Sequence, residues 1–213
     1  MGRDASDTRE RLLRSAEHVF ARNGIDAPIR EIHVHAGQRN ASAVQYHFGS
    51  KQELLREIIA RHALTEAERS VIQADLRSRR DDPRGLVDAI VRRMVGYLRN
   101  EPDRDFVRIA FQLLVRSPVR RDVTEGVDRP DLISFDPELE MLRGALPHLP
   151  ERILTERAVA GVTFVTLQVA ERARIIDDEP GDPILDEPEF VANLVDMTAG
   201  LLTAPAAITT AIT

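Results

Sequence analysis

Asn40–Lys51, NASAVQYHFGSK, decides how this chain is read. The stretch has the pattern of a short helix with a polar outer face. The Asn40 side-chain oxygen can take an orphan backbone N–H of the next turn, which makes it a good N-cap. Val44 and Phe48 are four residues apart and share one buried face. Ala41, Ser42, Ala43, Gln45, Tyr46 and His47 then point elsewhere. Small residues let a helix approach another surface closely, and Gln, Tyr and His are side chains that meet base edges or phosphates. Gly49-Ser50 ends this helix, and Ser50 with Glu53 three residues on opens another in a capping-box pattern.

The residues upstream complete a helix-turn-helix. Thr8–Asn23 carries Leu12, Ala16, Val19 and Phe20, the i, i+4, i+7, i+8 stripe of an amphipathic helix, with Thr8 as its expected N-cap and Gly24 as its stop. Pro28 opens a second helix, where its missing N–H costs little, and Ile29 and Ile32 form the buried side. Ala36-Gly37 closes it, and a short turn leads to Asn40.

Thr8-Arg9, Phe20, Gly24, Arg30-Glu31-Ile32, Ala36-Gly37 and, above all, Tyr46-His47-Phe48-Gly49-Ser50-Lys51 with Leu54-Leu55 resemble the DNA-binding domain of the tetracycline-repressor (TetR) family of bacterial transcription regulators. The resemblance covers Thr8–Leu55. It departs from the family at His33, where Ala is usual, and in a turn after Gly37 that is one residue longer. It implies an all-α fold: a three-helix DNA-binding domain at 1–55 and a helical ligand-binding and dimerisation domain at 56–213. The expected contacts to a double-stranded operator are Arg39, Asn40, Ala41, Ser42, Ala43, Gln45, Tyr46, His47 and Lys51. Lys51, the one lysine in the chain, stands at a helix start where a cation and backbone N–H groups together suit a phosphate.

Charge bounds the partners. The chain is −6 at neutral pH, yet nine cationic side chains against eight acidic ones leave residues 1–60 at +1 and the remainder at −7. A head of such weak positive charge must rely on local placement of arginines and on dimeric avidity. The 213 residues, 43% of them hydrophobic, suffice for a small head and one larger domain. The absence of cysteine excludes disulfides and thiol chemistry. The sequence opens with no apolar targeting segment, and Ala158–Ala170 reads as too short for a membrane span, so a cytoplasmic location without a membrane partner is expected.

The rest of the chain reads as helices. One long helix is expected from Lys51 to about Arg79, broken by Asp81-Asp82-Pro83, and it is the natural lever between head and body. Leu86–Asn100, Asp103–Arg116 and Asp136–Ala145 follow, with Ser117–Pro137 irregular. The last two helices, Pro150 to about Ile176 and Glu187 to about Thr203, are apolar on more than one face and must be buried on more than one. The resemblance implies a homodimer through these two, and Val162, Val165, Val169, Val191, Leu194, Val195 and Leu202 are the expected contacts.

Other features carry less. His33 and His35 lie on different faces with no completing ligand, so no metal is expected. Arg104, Arg108, Gln112 and Arg116 read as a solvated stripe. Tyr97, Phe106, Phe111, Phe135 and Phe164 read as core before cavity lining. No catalytic constellation or phosphate loop stands out, so neither an enzyme nor a cofactor is expected. The expected function is a repressor released from a palindromic operator by an unidentified small-molecule effector, to which the sequence assigns no residue. A helical module that binds a small molecule or protein without reading DNA is the alternative, because the head is weakly charged.

Overall fold

The computed structural model describes residues 2–40, 42–116, 136–178 and 183–206. The described residues are helical, without a strand: α1 (Gly2–Asn23), α2 (Ile29–His35), α3 (Ala43–Phe48), α4 (Lys51–Arg61), α5 (Glu66–Ser78), α6 (Pro83–Val95), a 3-10 turn (Gly96–Leu98), α7 (Glu101–Arg116), α8 (Asp136–Ala145), α9 (Glu151–Asp178) and α10 (Glu187–Thr203). They fall into two compact units. The first takes 2–64 with 97–116 and 169–178, and the second takes 65–96, 136–168 and 183–206.

In the first unit, Leu12, Ala16, Val19 and Phe20 of α1 are buried as their spacing predicts. Helix α1 starts at Gly2, so Thr8 lies inside it and does not cap it. The residues ahead of Thr8 hold no proline, and nothing stops the helix from extending upstream. At its other end Gly24 adopts φ +93, a left-handed conformation that glycine takes without strain, and its N–H donates to the Phe20 carbonyl at 3.1 Å. Ile32, Val44, Phe48, Leu54 and Ile58 bring α2, α3 and α4 onto α1. Phe106 and Ile109 of α7 belong to the same core.

Helix α7 corrects one expectation. Its polar stripe is not solvated. Gln112 donates to the Phe20 carbonyl at 3.0 Å and accepts the Ile25 N–H at 2.8 Å, tying α7 to the end of α1. Arg108 is buried, and Arg104 pairs with Asp177 at 2.7 Å. Arg116, paired with Asp26, is the exposed member. Phe106 stacks on the His62 ring at 4.1 Å and is core, as read.

The long helix from Lys51 is in fact two. Helix α4 stops at Arg61, and Thr65, in extended conformation at φ −66 and ψ 160, starts α5 with a full capping box to Glu68. The helical periodicity runs across this junction, but Thr65 and Glu68 supply a local start signal that outweighs continuity. The rigid single lever expected from the sequence is therefore absent.

In the second unit α6 packs along α10, and α8 packs against α5 and α6. Asp186 caps α10 through another complete capping box, with Glu189. Helices α9 and α10 meet where Gly161 lies near Leu202 and where Arg157 donates to the Leu202 carbonyl at 2.9 Å. Of the expected dimer residues, Val165, Val169, Val191, Leu194, Val195 and Leu202 are buried within the chain itself, and Val162 is partly buried. These helices bury their richest apolar faces internally. Leu167 at 39% exposure and Met197 at 41% stand on the outside. Helix α9 is also, among the described residues, long and apolar enough to cross a membrane by length and composition, unlike the shorter Ala158–Ala170 run considered alone. Val165, Val169 and Ala173 bury one side of it in protein. The expectations for Ser117–Pro137 lie outside the described residues, apart from the start of α8 at Asp136, and that for Phe135 lies wholly outside them.

Candidate nucleic-acid interface

The outward row of α3 is built from its inward one. Val44 and Phe48 are buried, and between them Gln45 and Tyr46 face solvent and His47 is half-buried. Tyr46 is 80% exposed. The ring is therefore free to meet an outside surface. It meets His47 edge-on at 5.0 Å. Arg39, Asn40 and Ser42 are exposed on the approach to α3. Ala43 is corrected: it is 4% exposed and belongs to the core, because it shares the inward side with Val44. Ala41 lies outside the described residues.

Two side chains hold the first turn of α3. A short helix leaves most of its N–H groups without intrahelical partners. Ser42 stands at the N-cap but makes no side-chain cap. Asn40, expected as the N-cap, lies two residues further out, because the helix starts at Ala43; its Oδ1 accepts the Ser42 N–H at 2.9 Å. The Val44 N–H donates to His33 Nε2 at 3.3 Å. His33 is thus a tertiary cap that fastens α2 to α3, a positioning role that sequence reading missed. The signal was its unusual placement where the family has Ala. Gly49 ends the helix at φ +76, and Ser50 Oγ accepts the Glu53 N–H at 3.1 Å to start α4.

Lys51 also departs from its expected surroundings. Its ammonium donates to the Ala27 carbonyl at 2.7 Å and lies 5.4 Å over the Phe20 ring. Burial lowers its pKa. The side chain braces the α1–α2 connection, leaving only its remaining protons to an outside partner. Arg9 sits over the Phe48 ring and pairs with Glu57.

Behind the interface lies an ionic cluster of the same unit. Arg22 donates to Asp105 at 2.6 Å and to Glu101 at 3.2 Å, and lies 2.9 Å from His18 Nδ1. Burial pushes the Asp105 carboxyl up to about 7, against the pull of Arg22. His18 is pushed down, by burial first and then by Arg22. His18, Glu101 and Asp105 bring three potential ligand atoms within 4.8 Å of one another. The Arg22 guanidinium lies among them and supplies the positive charge there, which leaves the group a poor fit for a metal ion.

The second unit holds an apolar cavity between α6, α8, α9 and α10, reached by Arg93, Glu138 and Thr198. Among the described residues, none of Tyr97, Phe106, Phe111 and Phe164 lines it.

A compact three-helix head with two short helices joined by a tight turn, the second presenting an exposed polar row, defines a helix-turn-helix DNA-binding domain. Residues 12–58 match the model of the family described as bacterial regulatory proteins, tetR family. The head of the chain thus carries a DNA-binding domain of the type that opens that family's transcription regulators. No curated protein matches the chain.

Proposed function

We propose that the chain is a ligand-released repressor that binds a palindromic operator as a homodimer in the cytoplasm, without catalysing a reaction. The observation that carries this reading is the 80% exposure of Tyr46, beside exposed Gln45, on a helix whose opposite face is locked into the core. Gln45 reads a base, since its amide can pair bidentately with adenine N6 and N7. Tyr46, His47, Arg39 and the remaining protons of Lys51 hold phosphates, and Asn40 and Ser42 lie close to the backbone. The domain boundary proposed at residue 55 assigns α1–α3 and the start of α4 to DNA, and the later helices to effector and dimer.

Exposed Leu167 and Met197 on the last two helices support a second chain docking on their outer sides, in place of the buried valines. A dimer places two recognition helices in successive major grooves when they are about 34 Å apart. An effector releases DNA by binding a dimer arrangement with another spacing more tightly, and its power is limited by that difference in affinity. A gel-shift titration on DNA flanking the chain's own gene, with sedimentation of the free protein, tests this. The expected result is two chains per site and a dimer of about twice 23.9 kDa. A monodisperse monomer that shifts no fragment contradicts it.

A further inference from the structure

The cavity of the second unit has an uneven lining, and that unevenness specifies its occupant. The occupant is taken to be the effector of the repressor reading above, so its chemical class rests on that reading. Aliphatic side chains such as Val87, Leu142 and Val165 make most of the wall. Two polar features interrupt it.

The first is Thr198. It is 4% exposed, and its hydroxyl has no hydrogen-bond partner. Helical threonines ordinarily satisfy themselves on the preceding turn. Thr163, Thr166 and Thr203 do so here, each donating at 2.8 Å to the carbonyl four residues earlier. Thr198 does not, and it lines the cavity. A buried hydroxyl left unpaired costs stability, and an occupant with a hydrogen-bonding oxygen removes that cost.

The second is the ion pair of Arg93 with Glu138 at 2.5 Å, in which the carboxylate is buried. The pair is already neutral. A ligand carboxylate would set two anions on one guanidinium, and a ligand ammonium would compete with Arg93 for Glu138. Either leaves charge uncompensated against an apolar wall. We infer that the effector is a neutral, mainly hydrocarbon molecule with one hydrogen-bonding oxygen, such as an aliphatic alcohol or ketone, whose oxygen meets the Thr198 hydroxyl. The free space is about 40 Å³, room for about three waters. Such a molecule therefore enters only by moving lining side chains, and this gives the two occupancy states different packing in the second unit.

The test uses the full chain and four probes of equal chain length: n-octanol, octanoate, octylamine and octyl chloride. Calorimetric titration should show n-octanol binding at least about tenfold more tightly than octanoate or octylamine. Thr198→Val keeps the shape and removes the hydroxyl. It should weaken n-octanol about fivefold, the size of one net hydrogen bond, and leave octyl chloride unchanged. Ala158→Leu, which fills the cavity, should abolish both. The inference is overturned if octanoate or octylamine matches n-octanol, if Thr198→Val leaves the ratio of n-octanol to octyl chloride unchanged, or if none of the four binds a chain shown folded by circular dichroism. DNA binding measured without any probe separates the two readings. A chain that shifts DNA but takes no n-octanol loses only the effector class; one that takes n-octanol but no DNA loses the repressor reading.

Discussion

Helix α3 and the pair α9–α10 pose the same question, which side of an apolar-bearing helix faces inward, and answer it with different clarity. In α3 two large apolar residues, Val44 and Phe48, fix the inward side, and the polar row between them has one direction left. In α9 and α10 apolar side chains run nearly all round, so the pattern says that several faces are covered but not by what. The protomer takes Val165, Val169, Val191, Leu194, Val195 and Leu202 for its own core and leaves Leu167 and Met197 outside. Amphipathicity assigns a face; uniform apolarity assigns only a degree of burial.

Charging each side of α10 in turn should give the largest effects. Leu194→Asp places an unpaired carboxylate at a fully buried site and should cost several kcal/mol, roughly the 3–5 of an uncompensated buried charge. Chemical denaturation should then show an unfolded or molten protomer. Met197→Glu and Leu167→Glu should leave protomer stability within about 0.5 kcal/mol and convert the dimer to a monomer by sedimentation. If Leu194→Asp dissociates the dimer while the protomer stays folded, the interface lies where the sequence reading put it.

The recognition side gives effects of intermediate size. His33→Ala leaves the buried Val44 N–H without a partner, a loss of about 1–3 kcal/mol, and should weaken binding to every DNA sequence alike by loosening α3. Retained stability and affinity would show that the bond does no positioning. Gln45→Ala should flatten base preference at one symmetric pair of operator positions, by about 1–3 kcal/mol of discrimination, and spare stability. Lys51→Ala should instead lower both melting temperature and affinity, because its ammonium braces Ala27, and should reduce the salt slope by about one for each phosphate it no longer holds. A panel of single-base operator variants distinguishes the two: if Lys51→Ala shifts base preference, their assigned roles are wrong.

The last effect expected is in pH dependence. The Asp105 carboxyl rises from 3.8 to about 7 in the folded chain. Its contribution is complete below about pH 4 and is lost as pH rises through 7, because the folded state holds a proton that the unfolded state has released. His18, shifted down, acts oppositely: the unfolded chain binds a proton below about 6.5 that the folded chain refuses, so its contribution grows with pH there. Asp105→Asn removes the falling component. Stability measured from pH 4 to 7 should then rise more steeply than in the parent chain, and an unchanged slope would show that Asp105 does not hold that proton.

The head is legible in the sequence because its punctuation is local. Gly24, Pro28, Gly49 and Ser50 each state their conformation in their own chemistry, and the structure places all four where the sequence sets a boundary. The mismatches fall where distant partners decide. Nothing near Lys51 in sequence announces the Ala27 carbonyl, nor does the stripe on α7 announce Phe20 and Asp177, its partners through Gln112 and Arg104. Thr65 is the exception: its capping box with Glu68 is readable, but the apolar pattern continues through it and hides the break. The cavity is illegible, since an unpaired threonine hydroxyl shows itself only against the geometry of its own helix.

Selection of bound duplexes from a random DNA pool asks at once whether the head reads sequence and whether two heads read together. The expected result is enrichment of an inverted repeat whose half-site centres are about 10 base pairs, or a multiple, apart. Recovery of no motif, or of a single unrepeated one, would contradict dimeric readout by α3.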